Sequence, residues 1–254
     1  MTRLEARSIR LALGGKTLCT GLDLAMNAGE TWAVLGANGS GKTTLLQTLA
    51  GLRPPVAGQV YLDGCDIRSM RPRALALKRG VLLQESEPGL AADVMQTVLT
   101  GRHPHLPPWG WETSADHRMA SAALTAVDLE GFASRPLATL SGGERRRVDI
   151  AALLAQDAPI CLLDEPTNHL DLRYQIKVLE RIAARSQTPG HLNVIVLHDV
   201  NLALRFCSHG LLLEAGGHRQ GPLDAILDTG VLELIYHCPF REVGTGSDRI
   251  FLPA

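Results

Sequence analysis

Three short apolar runs punctuate the chain, and each ends in residues able to do chemistry. Thr31-Trp-Ala-Val-Leu35 runs into Gly36, Ile160-Cys-Leu-Leu163 into Asp164-Glu165, and Asn193-Val-Ile-Val-Leu197 into His198-Asp199. Unbroken runs of this kind predict strands buried on both faces, as in a parallel sheet covered by helices. Ligands of such sheets bind outside the carboxyl ends of the strands. The opening segment, Leu4 to Val34, alternates in patches around Gly14-Gly15, and Gly58 to Gly64 lies between turns. Both read as strands of a smaller antiparallel layer. Thr44 to Ala50 reads as a helix stopped by Gly51 and the Pro54-Pro55 pair. From about residue 85 to 157 the periods turn helical, as in Asp116 to Val127, with no strong β-run.

The turn after the first strand is Gly36-Ala37-Asn38-Gly39-Ser40-Gly41-Lys42-Thr43, which fits the phosphate-cradling pattern G-x-x-x-x-G-K-[ST]. Gly39 and Gly41 permit positive φ and let a phosphate approach the backbone. Successive N–H groups form an anion nest. Lys42 is placed to reach the β- and γ-phosphates, Thr43 offers a hydroxyl to Mg²⁺, and the helix continuing from Thr44 adds partial positive charge.

Asp164 and Glu165 emerge at the same edge. One carboxylate can hold Mg²⁺ while the next orients or deprotonates an attacking water, a division that suits phosphoryl transfer. His198 after the third run could sense a γ-phosphate, although taken alone it reads as structural. Gln84, after Gly80-Val-Leu-Leu83, reads alone as a strand-end amide. A second Gly-rich turn, Leu140-Ser141-Gly142-Gly143-Glu144, opens a helix-like segment near Glu144.

Taken together the motifs resemble an ATP-binding-cassette ATPase, over about residues 4 to 240. Walker A is Gly36 to Thr43, the Q-loop falls on Gln84, and the signature is Leu140 to Glu144. Walker B is Ile160 to Asp164 with Glu165 as the catalytic glutamate, the D-loop is Asn168 to Asp171, and the switch histidine is His198. The resemblance implies an α/β fold: a P-loop NTPase (RecA-like) core, an N-terminal antiparallel β layer and an inserted helical subdomain. Residues 1–254 then form one ATPase domain, with a core of about 1–84 and 158–254 and a helical subdomain of about 85–157. It implies ATP and Mg²⁺, with Thr43, Gln84 and Asp164 toward the metal and Glu165, His198 and Gln84 in catalysis. It also implies a homodimer. Ser141, Gly142, Gly143 and Asp171 of one subunit would complete the nucleotide site of the other.

Departures are visible. Leu13 stands where the family often stacks an aromatic on adenine. Arg146 stands where it often has Gln, and Ala152 where it often has Arg. The last two are expected to alter contacts between the lobes and not the phosphate chemistry. Arg145, Arg146 and Arg147 at the start of the signature helix oppose its dipole.

The chain has 254 residues, 45% hydrophobic, with a net charge of −1. That suits a substantial core with an inserted lobe and argues against a nucleic-acid binder. No apolar run reaches the roughly 20 residues of a membrane span, and no secretion signal is expected. Five scattered cysteines without metal spacing point to reduced thiols. In Gly101-Arg-His-Pro-His-Leu-Pro-Pro-Trp-Gly-Trp111 the prolines forbid a regular helix. Trp109 and Trp111 either face a partner or tuck inward, and His103 and His105 lack further metal ligands nearby.

Gly101 to His105, Val200 to Ala203 and Ile235 to Phe240 resemble segments of iron-siderophore, haem and cobalamin importer ATPases. That resemblance implies the ATPase subunit of a metal-chelate importer, with cobalamin and ferric siderophore as the leading cargoes and haem as a further one. The subunit would be peripheral on the cytoplasmic face of a bacterial inner membrane. Its partners would be two transmembrane permease subunits and, indirectly, a substrate-binding protein. An exporter ATPase or a non-transport assembly ATPase is the alternative.

Overall fold

The computed structural model describes residues 3–84, 92–214 and 217–254. In chain order the first half holds β1 (Arg3–Leu13), β2 (Lys16–Asn27), β3 (Thr31–Gly36), α1 (Lys42–Leu49), β4 (Ala57–Leu62) and β5 (Cys65–Asp66). There follow α2 (Pro72–Lys78), β6 (Arg79–Leu82), α3 (Val94–Leu99), α4 (Ser114–Ala126) and α5 (Gly142–Gln156). The second half holds β7 (Ile160–Asp164), α6 (Leu172–Ser186), β8 (Leu192–Val196), α7 (Val200–Phe206), β9 (His209–Leu213) and β10 (His218–Pro222). It closes with α8 (Leu223–Ile226), α9 (Thr229–Tyr236), β11 (Phe240–Val243) and β12 (Ile250–Pro253).

Six strands form the central sheet in the order β10-β9-β3-β8-β7-β6. All pairs are parallel except the edge pair β9–β10. Every residue of β3, β7 and β8 is buried, as their unbroken apolar sequences require. A second sheet, β2-β1-β4-β5, is antiparallel and alternates buried with exposed positions along β1 and β2. It covers α1 and one face of the central sheet, sharing a cluster that includes Leu4, Leu22, Trp32, Leu45 and Val194. A second cluster joins the opposite face to α3, α4 and α5, through residues such as Leu82, Val98, Leu124 and Ile150. This is the expected α/β fold with an antiparallel layer and a helical insertion.

The signature helix starts two residues earlier than the sequence pattern suggests. Ser141 is its N-cap, in a reciprocal box in which Ser141 Oγ accepts from the Glu144 amide and the Ser141 amide donates to Glu144. Such a cap is worth about 1 kcal/mol, and Glu144 favours the dipole, so the end is stabilised despite the arginines that follow. Arg147 leaves the helix end altogether: its guanidinium stacks on Tyr174, 3.9 Å from the ring centre, and donates to the Val127 carbonyl.

Residues Thr100–His105 form a 3₁₀ turn, not an α-helix, with Pro104 inside it. This turn is fastened to both α4 and α5. Arg102 pairs with Asp116 at 3.0 Å and donates to the Ala155 carbonyl at 2.8 Å, and His105 bonds the Gln156 carbonyl at 2.8 Å. Gly101 leaves no room for a side chain, since a Cβ there would lie 2.1 Å from the Ala152 carbonyl oxygen. Trp109 and Trp111 beyond the turn are 100% and 86% exposed, so neither indole is tucked inward. The five cysteines are free. No helix among the described residues is long and apolar enough to cross a membrane.

Candidate active site

Adjacent strands β3, β8, β7 and β6 deliver, at one edge of the sheet, the P-loop, His198, Asp164-Glu165 and Gln84. The cleft there measures about 440 Å³ and is lined by Leu13, Leu18, Asn38, Gly39, Gly41, Lys42, Thr43, Thr44, Gln84, Glu165 and His198. Leu13 is half exposed on its rim, so the rim position expected for an adenine-stacking ring carries an aliphatic side chain.

The P-loop geometry depends on its glycines. Gly39 and Gly41 have φ of 75° and 101°, and a Cβ on Gly41 would lie 2.9 Å from Leu18. Gly41 caps α1 without a side-chain bond, leaving first-turn amides free to meet an anion. Lys42 is buried, and its ammonium donates to the carbonyls of Gly36 at 2.8 Å and Ala37 at 3.1 Å. Burial lowers its pKa, opposed by the charges of Glu165 and Asp164. The Ser40 hydroxyl is buried without a partner among the described residues.

Glu165 is the meeting point of the site. His198 Nε2 donates to its Oε1 at 2.6 Å, Gln84 Nε2 donates to Oε2 at 3.1 Å, and the Asn168 amide also donates to Oε2. Glu165 adopts a left-handed φ of 47°, costing on the order of 1–3 kcal/mol, which persists only where the surroundings hold it. Asn168 opens the D-loop stretch named from the sequence, and its bond to the glutamate is visible only in the structure.

Asp164 is fully buried at the end of β7. Burial raises its pKa, and the nearby Glu165 charge adds to this, against the Thr43 hydroxyl, Arg146 and Lys42. The Thr43 hydroxyl approaches the carboxyl, yet neither carboxylate oxygen completes a hydrogen bond among the described residues. An orphaned buried carboxylate beside a threonine hydroxyl is the donor set a hard cation such as Mg²⁺ takes. His103 and His105 join no such set: among the described residues no three His, Cys, Asp or Glu are grouped to hold a metal.

Ser141, Gly142, Gly143 and Asp171 do not line this cleft. Ser141, Gly142 and Asp171 are exposed, and Asp171 caps α6 by accepting from the Tyr174 amide at 3.0 Å. Gly143 packs on the D-loop, where a Cβ would lie 2.9 Å from the His169 carbonyl oxygen. The Arg146 guanidinium reaches from α5 to the chain beneath the acidic pair, donating to the Asp164 carbonyl at 2.6 Å and the Glu165 carbonyl at 2.9 Å. The second and third importer-like segments are structural. Asn201 exchanges two hydrogen bonds with the Phe251 backbone at 2.8 and 2.9 Å, holding β12 on α7. Tyr236 is partly buried against Phe240, with its hydroxyl buried beside the Gly36 amide, and burial pushes its phenol up to about 12.

A nucleotide-phosphate loop, an acidic strand end and a glutamate gathered by a glutamine and a histidine define an ATP-hydrolysing cassette. The profile of the ABC transporter family matches residues 19–168, and the chain belongs to that family as an ATP-binding cassette ATPase. Hemin import ATP-binding protein HmuV of Rhizobium meliloti is 38% identical over 94% of this chain and 92% of its own. Achromobactin transport ATP-binding protein CbrD of Dickeya dadantii is 35% identical over 96% and 91%. An inward-facing metal-chelate-type ABC transporter superposes with a TM-score of 0.85 at 27% identity, covering 100% of this chain and 98% of that one. A dimeric ATP-binding cassette bound to ADP and Pi superposes at 0.77, with 26% identity and coverages of 87% and 98%.

Proposed function

We propose that this chain is the ATPase subunit of a bacterial importer for a metal chelate, with haem or a ferric siderophore as cargo. The observation that carries the catalytic part is the convergence of Gln84, His198 and Asn168 on Glu165 beside the orphaned Asp164 carboxylate. The cargo class is supported by relatives named for hemin, achromobactin and ferric enterobactin transport. Cobalamin, also expected from the sequence, has less support, because the relatives described above are named for haem and siderophores.

In this reading Lys42 swings from its carbonyls to the β- and γ-phosphates of ATP. Thr43, Gln84 and Asp164 would hold Mg²⁺, which neutralises phosphate charge when bound. Glu165 accepts a proton from the attacking water, and His198 orients the glutamate and contacts the γ-phosphate. Ser141, Gly142, Gly143 and Asp171 face a second copy and complete its site, making a homodimer with two shared nucleotides. The helical lobe of about residues 85–157 turns on the core of about 1–84 and 158–254 as the dimer closes. Two permease subunits receive that motion at the cytoplasmic face of the inner membrane, and a substrate-binding protein delivers cargo to them.

The experiment is radiolabelled uptake in cells lacking this chain, comparing haem, ferric siderophores and cobalamin. Loss of uptake of one chelate, rescued by wild type and not by Glu165→Gln, is expected. Normal uptake of all three overturns the metal-chelate assignment and reopens the exporter and assembly-ATPase alternatives.

A further inference from the structure

We propose that Arg146 is a positioning residue for ATP hydrolysis, holding the backbone on both sides of the Gln84–Glu165 contact and tying it to the helix that begins at Ser141. The proposal rests on the reading of Glu165 as the residue that prepares the attacking water.

Arg146 is 4% exposed, on the second turn of α5. Its Nη1 donates to the Leu83 carbonyl at 2.7 Å and, at the longer distance of 3.5 Å, to the Gln84 carbonyl. Its Nη2 donates to the Asp164 carbonyl at 2.6 Å and the Glu165 carbonyl at 2.9 Å. One planar group therefore grips the two chain segments that leave β6 and β7, and those segments carry the two side chains that meet at the site. Burying a guanidinium is costly unless its donors are satisfied and countercharge is near. Here four carbonyls serve Nη1 and Nη2, while Nε has no partner among the described residues. Asp149, one turn further along α5, lies close enough to favour the charge, as do Asp164 and Glu165.

The grip bears on the backbone where it is strained. Glu165 sits at φ 47°, and the peptide carbonyls on both sides of its Cα point at the same Nη2. Fixing both peptides fixes the direction in which its side chain leaves, toward His198 and Gln84. Glutamine at this position would bring two N–H groups where arginine brings five, so it could not serve both segments equally. The same helix starts five residues earlier at Ser141, about 7.5 Å along its axis. A shift of that end upon contact with a neighbouring nucleotide reaches the Glu165 backbone through a single side chain.

The test compares full-length Arg146→Gln and Arg146→Lys with wild type, reading kcat and KM for ATP, nucleotide affinity by titration with a fluorescent ATP analogue, and Tm. Arg146→Gln is expected to lose about tenfold or more in kcat with KM and affinity within about twofold, since small misplacement of a reacting group costs rate and not ground-state binding. Arg146→Lys keeps charge but loses the fork, and falls between. It carries the test if Arg146→Gln does not fold. A purely structural role would lower Tm and leave kcat per folded molecule unchanged, and that result overturns the proposal. So does a loss of affinity that accounts for the whole change in kcat/KM. Glu165→Gln runs in parallel. If it turns over ATP like wild type, the reading of the site has failed; if it is inactive while both Arg146 variants match wild type, only the inference has failed.

Discussion

The Glu165 carboxylate is shared between His198 on one oxygen, at 2.6 Å, and Gln84 on the other, at 3.1 Å. Strands β8 and β6 thus both report to the residue at the end of β7. Glu165→Gln keeps the shape but removes the base. Hydrolysis is expected to fall on the order of 10²–10⁴-fold with ATP binding retained, so that a closed, ATP-bound dimer accumulates. Phosphate release together with size-exclusion chromatography in ATP checks this. Wild-type turnover would remove Glu165 from its role.

Lys42→Ala deletes the counter-charge of the phosphates. Hydrogen bonds to charged groups are worth about 1.5–3 kcal/mol, so ATP affinity should drop about 10- to 100-fold. Unchanged affinity in an equilibrium titration would contradict the assignment of this ammonium to the phosphates.

Gly101→Ala drives a methyl group into the Ala152 carbonyl, 2.1 Å away. Overpacking of this kind costs about 1–3 kcal/mol, and urea unfolding should reveal it as a lower midpoint. Gly131→Ala is the matched control: nothing lies within 4 Å of its Cβ and its φ is not positive, so its midpoint should stay near wild type.

Asp116 accepts bonds from the Thr113 hydroxyl and amide and from Arg102, and these hold its carboxyl well below the usual carboxylate range. A depressed folded pKa contributes stability that is complete above the unfolded value, near 3.9, and is lost as pH falls through the folded value. Asp116→Asn should therefore be less stable than wild type by a constant margin from pH 8 to 5, narrowing below about pH 4. A margin independent of pH in urea titrations at these pH values would mean that the carboxylate charge contributes nothing.

Much of this site is written in the sequence because each piece is local. An apolar run that stops at Gly36, Asp164 or His198 says where a strand ends, and a parallel sheet sends all such ends to one edge. The strand order is not local: nothing in the run Asn193 to Leu197 says that β8 lies between β3 and β7. Contacts between distant residues are equally silent. Separations of 62 and 63 residues from Arg146 to the Gln84 and Leu83 carbonyls, and of 50 from Asn201 to Phe251, carry no periodicity. Strands β10 and β11 escaped the pattern for a different reason, since they are polar and short and bury little. The arginines after Ser141 read as a cost to their helix when only the dipole is considered. All three instead direct their charge to carbonyls outside the helix, which a one-dimensional reading has no means to foresee.

Lys42 already has two carbonyl partners within its own loop. In the proposed reading nucleotide arrival is an exchange of partners and not the filling of an empty hand: two hydrogen bonds open as the phosphate bonds form. The heat released on binding is the difference between the two sets, and is smaller than the count of phosphate contacts suggests. The same seat serves departure. When product phosphate leaves, the ammonium has somewhere to go, so a group buried this deeply need never stand bare between turnovers.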